Sequence, residues 1–156
     1  MTGANSQQPE GWLRGLRVYA GVSALGHLAW EVLHLPLYTL WTTGTPGEKA
    51  FAVVHCTAGD IMIATLTLLA ALVMFGTSRW PAERAGMVFA AALAIGLGYT
   101  IYSEWLNTTV RTSWAYSEAM PTLPVLGTGL SPLLQWIAIP SAAMAVALRW
   151  RTPRHP

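Results

Sequence analysis

Charged residues are sparse in this 156-residue sequence, at 10%, where a soluble domain carries about 25%. That shortage speaks against a water-soluble globular protein. The 53% hydrophobic content speaks against a disordered chain, which needs low hydrophobicity and high charge. The single cysteine, Cys56, excludes a disulfide framework and any CxxC zinc or redox motif. Nine basic residues nearly balance seven acidic ones, and no nucleic-acid partner is expected from such a chain.

What the sequence has instead is four apolar segments, from about Trp12 to Trp41, Lys49 to Gly76, Arg84 to Asn107, and Ser131 to Trp150. Each is long enough to cross a hydrocarbon layer of about 30 Å as a helix. Lipid offers the backbone no hydrogen-bond partners, so helices are the expected form. The separators Thr43-Gly44-Thr45-Pro46-Gly47 and Thr77-Ser78-Arg79-Trp80-Pro81 carry turn chemistry. The expected fold is an all-α integral membrane four-helix bundle, one domain over 1–156, with the lipid bilayer as its partner. The first segment is too long and too polar for a cleaved signal peptide, since it contains His27, Glu31 and His34.

The basic residues set the orientation. Arg14 and Arg17 precede the first segment, Arg79 and Arg84 lie between the second and third, and Arg149, Arg151 and Arg154 close the fourth. Only Lys49 and Arg111 lie on the other side. The positive-inside rule then places both termini in the cytoplasm of a multi-pass plasma (inner) membrane protein. The long connection 108–130 faces outward. Trp12, Trp41, Trp80, Trp105, Trp114 and Trp150 stand near segment ends and read as interfacial anchors. Gly86, Ala90, Ala94 and Gly98, spaced by four, form a small-residue ridge that lets another helix approach, in the chain's own bundle or in a homo-oligomer.

Ionisable groups inside a membrane segment are costly, and each needs an account. His27, Glu31 and His34 fall within an arc of about 60° on one helical face. His55 and Asp60 lie near the start of the second segment, Glu104 near the end of the third, and Gln135 a turn inside the fourth. With alternating direction, all of them fall in the outer half of the bundle, whereas the inner half offers only Thr65, Thr67 and Ser141. The pattern is a cup open to the outside, not a conduit. His34 and His55 are expected at matched depth, as are Glu31 and Asp60.

Imidazoles with carboxylates suit a transition metal or zinc, with copper, zinc and iron the candidates. The metal reading takes His27, Glu31, His34 and His55 as ligands, with Asp60 or Glu104 completing or orienting the set. It would serve metal homeostasis or a membrane enzyme activity. His55 and Asp60 are about 140° apart on an ideal helix, so both reach one centre only if α-helical geometry yields at Gly59. Three other readings stay open. His34 and His55 could be axial ligands of a haem. The polar groups could simply satisfy one another. The cup could bind a lipid- or sterol-like molecule, with His27 and Glu31 as an acid–base pair. The stretch Gly26-His27-Leu28-Ala29-Trp30-Glu31 resembles the first span of the emopamil-binding (sterol isomerase) and sigma-2 receptor family. That resemblance implies four spans around a membrane pocket, with His27 and Glu31 as proton donor or acceptor. Cys56, Met62 and Met120 are minor candidates as soft ligands. Trp114, Tyr116 and Met120 are expected to dip back as a lid over the cup, and Pro36 and Pro140 to distort the first and fourth segments.

Overall fold

The computed structural model describes residues 8–149. Among these residues there are five helices and no strand: α1 (Gln8–His34), α2 (Leu40–Thr43), α3 (Pro46–Phe75), α4 (Ala85–Trp105) and α5 (Leu130–Arg149). Trp150, Arg151 and Arg154, used above as an anchor and as orientation markers, lie outside the described residues.

Three stretches are long and apolar enough to cross a membrane: Pro46–Phe75, Ala85–Val110 and Leu130–Arg149. They support a helical membrane protein. Helix α1, at 27 residues, has the length but carries Arg14, Arg17 and Glu31. It packs against α5 and α3, α3 packs against α4, and α4 against α5, so the long helices contact one another in a cycle.

Element ends follow from local chemistry. The first apolar segment is not one helix to Trp41. It breaks after His34 into a 3-10 turn over Leu35–Leu37, because Pro36 has no N–H to donate and its ring crowds the preceding turn. Helix α3 starts earlier than the hydrophobic run. Thr45 Oγ1 accepts from the Glu48 N–H at 3.3 Å, and Glu48 Oε2 accepts from the Thr45 N–H at 2.8 Å. This capping box, with Pro46 in the first turn, turns the expected loop into a helix start. Helix α4 passes into a wider π-helical turn over Leu106–Val110.

The apolar core lies between the helices, at Tyr19, Leu68, Leu72, Val88, Ala92, Trp136 and Met144. Trp80 belongs to it, 2% exposed and edge-on to Trp12 at 5.6 Å, so it is a core residue and not the expected interfacial anchor. Trp41 and Trp105 are exposed, as anchors would be. Helix α4 turns Val88, Ala92, Gly96, Thr100 and Glu104 inward. The ridge Gly86, Ala90, Ala94 and Gly98 is exposed on the opposite face, so it is not used within the chain's own bundle.

Close approach of α5 depends on two glycines. A Cβ at Gly96 would lie 2.6 Å from the Trp136 ring, and one at Gly26 would lie 2.8 Å from Ile139. Trp136 is buried and has nowhere to move. Gly96→Val is therefore expected to cost about 1–3 kcal/mol by overpacking. Gly98→Ala, where nothing lies within 4 Å, should not lower stability. Thermal unfolding of the two variants in detergent checks the contrast.

Candidate functional site

The polar face of α1 is turned inward. His27, Glu31 and His34 are 0%, 7% and 7% exposed. What gathers them is Gln135, which α5 brings into the same layer, itself only 2% exposed. Its amide nitrogen lies 3.0 Å from Glu31 Oε1, 2.9 Å from Asp60 Oδ2 and 3.0 Å from His27 Nδ1. His27 Nδ1 is also 3.4 Å from Asp60 Oδ2. An amide nitrogen carries two protons, and here it faces three partners. Its two protons can serve Glu31 and Asp60, while His27, in the neutral tautomer with its proton on Nδ1, can donate to Asp60 Oδ2. His27 Nε2 is buried with no hydrogen-bond partner, and its ring centre is 5.4 Å from that of Trp136.

A second chain of bonds fixes His34. Trp30 Nε1–H donates to Ser131 Oγ at 3.1 Å. The Ser131 hydroxyl lies 3.1 Å from His34 Nδ1, to which it can donate. His34 Nε2 is then left to donate to Glu31 Oε2, at 3.1 Å. Glu31 is the junction, offering one oxygen to each chain.

Glu104 forms a separate station at the C-terminal end of α4, where it accepts from the Tyr116 hydroxyl. Tyr116 Oη in turn accepts from the Gly129 N–H at 3.0 Å. Burial, followed by the neighbouring Glu104 carboxylate, holds the Tyr116 hydroxyl well above its ordinary value. Tyr38 is raised likewise, first by burial and then by Glu104. Both phenols therefore stay protonated donors. The connection 111–129, the strap, is tied to the turn after α1. Thr39 N–H donates to Ala115 O at 3.0 Å, and Ser117 N–H donates to Leu37 O at 2.9 Å. Met120 is buried and Trp114 half-buried, so the segment folds back as the lid reading expected.

His55 is not part of the bonded cluster. Its ring is exposed and stacks on Phe51 at 5.4 Å. The expected facing of His34 and His55 gives way to His34 on Ser131 and Glu31. The reason is angular. Helix α3 runs unbroken through Gly59, so turning Asp60 inward turns His55 outward. Among the described residues, no group of three His, Cys, Asp or Glu side chains comes close enough to hold a metal ion.

Between these stations lies a cavity of about 530 Å³. Glu31, His34, Asp60, Glu104, Asn107 and Gln135 supply its polar wall, and Tyr38, Met62, Ile63, Tyr99, Trp114 and Trp136 its aromatic and apolar wall. His55 and Cys56 also reach it. Ser131, Trp30 and Tyr38 escaped sequence reasoning, because serine and aromatic residues near helix ends carry no spacing signal. Comparison with protein-family models, curated proteins and solved structures finds no match.

Replacing Gln135 by leucine keeps the volume but removes the two amide protons that serve the buried carboxylates of Glu31 and Asp60. Each acceptor left unpaired costs about 1–3 kcal/mol. Gln135→Leu is expected to lower the unfolding temperature in detergent clearly more than Ser131→Ala, which unpairs only Trp30 and one nitrogen of His34. Equal effects would show that the amide is not the hub.

Proposed function

We propose that this chain is a four-span membrane protein that binds an apolar small molecule with a hydrogen-bond-donating head, in an outward-facing pocket. The observation that carries this reading is the cavity. Its volume falls within the range of about 300–1,000 Å³ usual for drug-sized ligands. Its walls are mostly aromatic and aliphatic, with a few convergent acceptors: Glu31, Asp60 and Glu104. Those carboxylates favour a hydroxyl or ammonium head, which would lie beside them while the apolar body fills the rest. Glu31, hydrogen-bonded to His34, is the group placed to exchange a proton with such a ligand.

The same reading takes α1, α3, α4 and α5 as the spans. Arg14, Arg17, Arg79, Arg84 and Arg149 then mark the cytoplasmic side, and Lys49 and the strap the outer side. The exposed Gly86/Ala90/Ala94/Gly98 ridge is free for a second copy of the chain. Cysteine placed at the exposed Glu118 should react with an impermeant maleimide on intact cells, and cysteine at Arg79 only after lysis. The reverse pattern would invert the topology.

A transition-metal or zinc ion in the cup is the competing reading. The geometry carries it less far, since His34 has both ring nitrogens engaged by Ser131 and Glu31, and His55 stands apart. The same engagement weighs against His34 as a haem ligand.

Native mass spectrometry after mild detergent extraction separates these possibilities. The expected result is a bound organic mass of lipid size and no stoichiometric metal. Gly59 lines the cavity, and a Cβ there meets nothing within 4 Å. Gly59→Leu should therefore lose the bound mass while keeping the unfolding temperature. Stoichiometric metal, or a large rise in thermal stability with added zinc, copper or iron, would overturn the pocket reading in favour of the metal.

A further inference from the structure

We infer that the pocket is loaded sideways from the outer leaflet, through a portal between α3 and α4, and that its ligand is a bilayer-dissolved molecule rather than a water-borne one. The inference rests on the pocket reading above and adds the route and the source of the ligand.

Exposure is unevenly distributed around the cavity wall. The lining residues that α1 and α5 contribute at the polar layer, Glu31, His34 and Gln135, are buried. The exposed lining residues are His55, Ala58 and Met62 on α3, Tyr99 on α4, and Arg111 at the foot of the strap. Met62 is 57% and Tyr99 45% exposed, although both belong to the wall of a cavity. Lining residues this exposed stand at the rim of the cavity, which runs along α3 and α4 and ends at Arg111. Further along the same two helices the gap is shut, because Leu68 and Leu72 of α3 and Val88 and Ala92 of α4 are core residues.

The opening lies at membrane depth. Ala58 and Met62 are about 18 and 24 Å along α3 from Pro46, and Tyr99 is about 9 Å along α4 from Trp105. All three sit inside stretches apolar enough to cross a membrane. A gap there meets acyl chains, not water. At the aqueous end the strap and Arg111 stand across the rim. The strap is bonded to the turn after α1 at Thr39 and Leu37, and to α4 through Tyr116 and Glu104. Arg111 adds a permanent charge beside that end, which an apolar molecule has no reason to cross. A molecule in the outer leaflet can slide its body between α3 and α4 and bring its head to the carboxylates without leaving hydrocarbon.

The experiment uses the full chain in proteoliposomes, mixed with phosphatidylcholine vesicles that carry a long-chain alcohol bearing a diazirine on its chain. Samples are flashed at intervals, and adducts are mapped by mass spectrometry. Adducts on cavity residues should accumulate with time in the unaltered chain. Met62→Trp and, separately, Ala58→Trp place bulk in the portal at exposed positions and should slow that accumulation by about tenfold or more. Pinning the strap by a disulfide between Thr39→Cys and Ala115→Cys, with Cys56→Ala, should leave the rate unchanged. Equal rates in the plugged and unaltered chains, or a slowing on pinning the strap, would overturn the portal. No cavity adduct in the unaltered chain would overturn the pocket reading and the portal with it.

Discussion

One side-chain amide organises the polar interior. Gln135 reaches from α5 to groups on α1 and α3, where His27 and Asp60 also approach each other directly. Two carboxylates and an imidazole converge on a single nitrogen with two protons. In a medium of low dielectric such convergence is tolerable only if every acceptor is matched, since an unpaired buried polar group there costs far more than in water. The depth of α5 relative to α1 and α3 therefore answers to the amide as much as to the apolar core. The closeness that makes the bonds possible comes from Gly96 and Gly26, which let Trp136 and Ile139 approach. Packing and polarity are coupled here: a larger residue at either glycine would push away the helix that carries the donor.

The cavity is the counterpart of that arrangement. Helices α3 and α4 share core residues at one end and line the cavity at the other, where the carboxylates lie. The strap lies across that end, held by bonds that run mostly between backbone groups and by the Tyr116–Glu104 pair. Glu104 thus has two faces, one bonded to the strap and one in the cavity wall. In the proposed function this makes the strap part of the binding site, not a mere connection between helices.

Much of this was legible in the order of residues. The helical class and the four long elements follow from apolar runs with turn residues between them. That His27, Glu31 and His34 share a face follows from 3.6 residues per turn, and the inward turn of Asp60 and Glu104 was expected from the cost of leaving a carboxylate in lipid. The capping box at Thr45 and Glu48 was readable too, as a Ser/Thr residue three before a Glu, although a purely hydrophobic criterion starts the helix late. The break at Pro36 was expected as a distortion and is a full change of helix type.

Sequence alone determined what each helix must hide: periodicity is a local property, and it tells which side chains share a face. It did not determine which partner each hidden group would find, because azimuthal rotation and sliding between helices cost little until side chains interlock. Tertiary packing therefore decided that Gln135, and not His55, completes the cluster, that Trp80 enters the core, and that the small-residue ridge of α4 faces out. It also decided that a space remains among the carboxylates, since a cavity is a property of how helices diverge and no single stretch of chain encodes it.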